Sequence, residues 1–99
     1  MDFLNKKCIF RGEKSGVFFG TLTSRNGREV TINQCRRIWY WDGACSISEL
    51  AKSGVTKPQN CKFTVTVESI MILDCVEVIP CTKQAIQCIE GVSEWKSQK

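Results

Sequence analysis

Two arginines, three aromatic rings and a capped helix fall within Cys35 to Gly54, CRRIWYWDGACSISELAKSG, the stretch whose residue types best suit ligand recognition. In an extended strand successive side chains point to opposite faces, so Arg37, Trp39 and Trp41 share one face and Arg36, Ile38 and Tyr40 the other. Indole planes stack a base, and a guanidinium pairs with a phosphate. Lys62 ends the polar connector Thr56–Lys62, which reads as a loop or as a lid that brings a further cation. The expected ligand-binding set is therefore Arg36, Arg37, Trp39, Tyr40, Trp41 and Lys62. Large aromatics beside Ile38 serve equally well as core. The pattern leaves open which face of 35–41 is buried.

Catalytic chemistry finds less to work with. The chain has no histidine, so Ser–His and Cys–His nucleophilic pairs are excluded. Asp74 and Glu77 stand three apart, which on a strand sets them on opposite faces. Phosphate-cradling glycine loops and the nucleophile elbow are missing. Seven cysteines would suit a disulfide scaffold, but their number is odd and no secretion signal precedes them. Without C-x₂-C spacing or histidine they do not form a common zinc set, and they read as reduced, mostly buried thiols. The expectation is a non-enzymatic protein with no metal and no cofactor.

Ninety-nine residues support one domain, 1–99, with one modest core. No apolar run approaches the ~18 residues of a membrane-spanning helix, and the first residues lack a signal-peptide pattern. A cytoplasmic protein with no membrane partner is expected. The net charge of +4 is unevenly spread: residues 1–40 carry +5 and residues 63–95 carry −4. Such separation suits an anionic ligand, self-association of opposite faces, or an ordinary mixed surface. The absence of a Lys/Arg-rich run or basic helix argues against long nucleic acid.

The elements that must position these side chains follow from local pattern. Strands are expected at Lys6–Phe10, Val17–Ser24, Arg28–Asn33 and Cys35–Trp41, with Arg11–Gly16 a turn and Gly20 a bulge or a close backbone approach. Asn26-Gly27 predicts a type I′ hairpin with positive φ at both residues. Ser46 and Glu49 form a capping box for a two-turn helix that Gly54 ends. Phe63, Val65 and Val67 alternate with Thr64, Thr66 and Glu68 as a strand. Strand structure continues through Ile70–Leu73 and Cys75–Ile79, with a turn or bulge at Asp74. Thr82 caps a second helix, Lys83–Glu90, before Gly91, and Trp95 packs the tail onto the body. The fold class is α+β: a small, mainly antiparallel sheet or partly open barrel with two short helices.

Arg36-Arg37-Ile38-Trp39-Tyr40-Trp41-Asp42-Gly43-Ala44, then Ser46, Glu49-Leu50-Ala51 and Gly54-Val55, resemble a family of small proteins of tailed bacteriophages and prophages. Asn60–Phe63 and Glu77–Cys81 extend the resemblance, which spans roughly Gly16 to Trp95. It implies a phage protein acting in the host cytoplasm. Small phage proteins of this kind include sponges for the nucleotide second messengers of bacterial immunity. A small anionic nucleotide is thus the expected ligand, held at a homo-oligomer interface because one small domain encloses a ligand poorly. Binding of a host protein, or a role in virion assembly, is the alternative.

Overall fold

The computed structural model describes residues 3–96. Its strands are β1 (Lys7–Gly12), β2 (Val17–Asn26), β3 (Glu29–Tyr40), β4 (Lys62–Phe63), β5 (Val67–Ile72) and β6 (Cys75–Pro80). Helix α1 (Ile47–Ser53) and a 3₁₀ turn (Pro58–Asn60) lie between β3 and β4, and α2 (Lys83–Glu90) follows β6. The strands form one open sheet, ordered β4-β3-β2-β1-β6, with β5 also on β3. All the ladders are antiparallel. This is the expected α+β class.

Long strand β3 organises the sheet. Its first half pairs with β5, from Val30↔Ile72 to Cys35↔Val67. Its last turn of pleat pairs with β4, at Ile38↔Phe63 and Tyr40↔Lys62. Both partners follow one another along the same edge of β3 in nearly one register, and residues 64–66 interrupt the ladder between them, with Thr64 N–H still donating to Arg37 O at 2.9 Å. The alternation expected from Phe63 through Val67 is therefore not a continuous strand: Phe63 is buried, but Val65 and Val67 are exposed.

Alternating side chains feed a core on each face of the sheet. Ile9, Phe19, Ile38 and Phe63 meet Leu50 and Ala51 of α1 and Ala85 and Ile89 of α2. On the other face Cys8, Phe10, Phe18, Leu22, Ile32, Cys35 and Ile72 pack together. Burial on both faces explains the apolar runs in β1 and β2, where a one-sided sheet would alternate.

Further local features differ from the sequence expectation, beginning with β1, which runs on through Arg11 and Gly12, where a turn is expected, because both pair with β6. The β2–β3 hairpin pairs Asn26 with Glu29, so Gly27 and Arg28 are its central residues. Gly27 alone has positive φ, +62°, which is the pattern of a type II′ turn one residue beyond the expected type I′ site. The strand break expected at Asn33-Gln34 is instead a bulge within β3, where Gln34 takes φ +50°. Opposite the bulge, Gly20 has the expected close approach: a Cβ there would lie 2.5 Å from Ile32 Cγ2 and 2.9 Å from Asn33 O.

The helix caps form as read. Ser46 Oγ accepts from Glu49 N–H at 3.2 Å, while the Glu49 carboxylate takes the N–H of Cys45, one residue before the cap, at 2.6 Å. Thr82 Oγ1 accepts from Ala85 N–H and donates to Lys52 O at 2.6 Å, joining the end of α1 to the start of α2. Gly54 ends α1 at φ +79°, and a Cβ there would sit 2.6 Å from Cys88 of α2, so glycine also sets how closely the helices approach.

Candidate functional site

The six expected ligand residues separate. Trp39 ends up on the surface because β3 bulges there: two residues, Ile38 to Tyr40, span one step of β4. Its indole is 64 % exposed. Trp95 arrives from beyond α2 and lies almost parallel to it, with ring centroids 6.4 Å apart and planes inclined by 12°. Lys62, opposite Tyr40 in the β3–β4 ladder, sets its ammonium 5.4 Å from the Trp95 ring centroid. Trp39, Tyr40, Trp95 and Lys62 thus form one exposed aromatic and cationic surface.

Trp95 is held by the strand beside it. Its N–H donates to Phe63 O at 2.8 Å, and Glu94 makes a parallel bridge with Phe63. Sequence reasoning expected Trp95 to pack the tail back but did not bring it to the site. No spacing rule links it to Trp39, since the contact depends on β4 placing the tail beside β3.

Arg36 is not available to a ligand. It is 4 % exposed, on the helix-facing side with Ile38. Its guanidinium donates to Ile89 O (2.9 Å), Val92 O (3.0 Å), Thr64 O (3.0 Å) and Phe63 O (3.2 Å). Ile89 O belongs to the last turn of α2, where the helix dipole favours a cation, and Val92 O lies just past its end. Desolvation draws its pKa below the usual arginine value, with Glu94 opposing. Arg36 is therefore a clamp that ties β3, β4 and the end of α2 together.

Arg37 faces the opposite core. Its guanidinium covers the Phe18 ring at 4.5 Å and donates to Ser15 O at 2.8 Å. Trp41 packs against the helix-side core that includes Ile38, and its Nε1–H donates to Ala44 O at 3.2 Å. The bulge at Trp39 breaks the expected Arg37-Trp39-Trp41 face, because it shifts the alternation after Ile38. Of the expected set, Trp39, Tyr40 and Lys62 remain together on the surface.

Residues 5–89 match a family described as a domain of unknown function, DUF6948. The chain belongs to this family. The DUF6948 match takes in Trp39, Tyr40 and Lys62 and ends before Trp95. No curated protein and no solved structure matches the chain.

The rest of the DUF6948 chain accounts for much of its uneven charge internally. Because β1 pairs with β6, Arg11 bonds Glu77 at 2.8 Å, and Lys7 bonds Glu90 of α2. Arg28 pairs with Glu13. Exposed pairs like these add little to stability, because water and salt screen them. The connector before β4 is docked, with Asn60 Nδ2 donating to Asp42 Oδ2 at 2.9 Å. All seven thiols are free, and burial pushes Cys8 up to about 11 and Cys35 and Cys81 up to about 12. Among the described residues no His/Cys/Asp/Glu group is arranged to hold a metal, and no helix is long and apolar enough to cross a membrane.

Proposed function

We propose that the protein is a non-enzymatic nucleotide-binding protein, encoded by a tailed phage, that sequesters nucleotide second messengers of immunity in the host cytoplasm. The observation that carries the binding reading is the Trp39–Trp95 pair with Lys62 beside it. Exposed indoles offer π-faces to a base, and stacking on such a ring is worth about 1–3 kcal/mol per base. The Lys62 ammonium supplies the charge for a phosphate. The phage origin rests on the resemblance carried by Arg36–Ala44 and the segments that follow it, and the sequestering role on likeness in kind to phage sponges: small size and an Arg/aromatic-rich strand. The surface is shallow, so a second copy laid over it would complete the enclosure.

A direct test is mass spectrometry of small molecules released when the purified protein is denatured, combined with calorimetric titration of mono- and cyclic nucleotides. Nucleotide recovery or saturable binding is expected. If the protein carries none and binds none, the reading is wrong.

A second reading, binding of a host protein or assembly of copies, has its own support. Among the described residues strand β5 pairs only with β3, and Met71 and Leu73 beside its other edge are 61 % and 65 % exposed. An unpaired apolar edge invites a further strand. Light scattering coupled to size exclusion reads the assembly: large oligomers that disperse on Met71→Lys favour this role over nucleotide binding.

A further inference from the structure

The two indoles differ in how firmly they are held. Trp39 stands in β3 between two rungs of the β4 ladder. Trp95 rides on a strap that begins at Gly91. The root of this strap is fixed, since Val92 is 4 % exposed and its carbonyl accepts from Arg36. Beyond Val92 the residues through Lys96 are exposed, and the Trp95 N–H to Phe63 O bond and the Glu94 bridge attach their backbone to β4. An open groove of about 550 Å³ lies under the strap, lined by Pro58, Gln59, Cys61, Gly91, Ser93 and Glu94 as well as Trp95.

The rings are already nearly parallel, their planes inclined by 12° and their centroids 6.4 Å apart, within the range of an offset pair. We infer that a nucleotide base is sandwiched between Trp39 and Trp95, the 93–96 strap moving outward on its Val92 root to admit it while Lys62 pairs with the phosphate. This rests on the nucleotide reading above and adds the mode of entry. The planes need no reorientation, only separation by a shift of the strap. Glu94 on the same strap pairs with Lys96 at 3.8 Å, which leaves Lys62, 5.4 Å from the Trp95 ring centroid, as the cation beside the rings. The phosphate is therefore directed toward Lys62.

The test titrates AMP, GMP, cyclic di-AMP and cyclic ADP-ribose, with adenosine and ribose 5-phosphate as partial probes, into the full chain and into Trp95→Ala, Trp95→Phe and Lys62→Gln. Binding is followed by calorimetry and tryptophan fluorescence, and the fold of each variant by circular dichroism. With a nucleotide that binds the parent, Trp95→Ala is expected to weaken affinity about tenfold or more, and Trp95→Phe to retain most of it. Lys62→Gln should weaken the nucleotides but leave adenosine unchanged. Binding of equal strength to the parent and to folded Trp95→Ala overturns the sandwich and leaves the Trp39 platform standing. Failure of every nucleotide to bind the parent overturns the nucleotide reading and the sandwich with it.

Discussion

Arg36→Met should cost the fold a large part of its stability, and the cost follows from the four carbonyls that Arg36 holds. Two of them keep another donor when the guanidinium is removed. Phe63 O still accepts from Trp95 N–H at 2.8 Å, and Ile89 O from Val92 N–H at 3.2 Å. Thr64 O and Val92 O lose their bonds of 3.0 Å each. A buried carbonyl left without a donor costs about 1–3 kcal/mol, so two give about 2–6. Against this, the methionine no longer requires a charge to be desolvated, which returns part of the loss. The net expectation is about 2–4 kcal/mol, a substantial share of the ~5–15 kcal/mol that holds a domain. In urea, with a slope near ~1.5 kcal/mol/M, the unfolding midpoint should fall by about 1.3–2.7 M. Arg36→Lys keeps the charge but not the planar fork, and should fall between. Trp95 gives a second readout, since the strap is rooted on Val92: its fluorescence should shift to the red in folded Arg36→Met. A midpoint within about 0.3 M of the parent would show that water satisfies both carbonyls, and the clamp argument would be refuted.

Two further outcomes follow from the sheet. Gly20→Ala brings a Cβ against Ile32 Cγ2 and the Asn33 carbonyl, and it should destabilise by about 1–3 kcal/mol in urea unfolding; an unchanged midpoint would mean that the β2–β3 bulge opens freely. Alkali should loosen the fold under reducing conditions. Cys8, Cys35 and Cys81 stay protonated up to about 11 or 12 when folded, against 9.0 for an ordinary thiol, so the unfolded chain loses protons first. The stability these thiols confer is complete below pH 9 and is lost as pH rises toward 11–12, at most about 1.4 kcal/mol per pH unit for each. Urea midpoints at pH 8 and pH 10.5 check this, and equal values would contradict it.

What could be read from sequence was the chemistry that acts over a few residues. Ser46 and Thr82 announce their helices because a cap is satisfied locally, and the strand–turn–strand around Gly27 is carried by its neighbours. The turn was misplaced by one residue because Asn-Gly suits type I′ and the register chose Gly-Arg. The alternation at 63–67 misled because residues 64–66 leave the ladder while the segments on either side of them stay on β3. At the site, Trp39 and Lys62 were legible as surface chemistry. The fate of Arg36 was not, since its acceptors lie at Thr64, Ile89 and Val92, and no local rule brings them together. Trp95 joined the site for the same reason.

The reach of Arg36 also bears on how the chain is made. Its buried bonds go to carbonyls 53 and 56 positions downstream, and β1 waits for β6. During synthesis, at about 5–20 residues per second, β1 to β3 emerge seconds before the segments that complete them. Until Val92 is available, the guanidinium of Arg36 is better left in water than enclosed. The hairpin of β2 and β3 can form early, but the helix-side core cannot be complete until α2 and Val92 have emerged. A nascent chain lacking that closing segment is expected to present an open apolar face, a natural handle for chaperones and proteases.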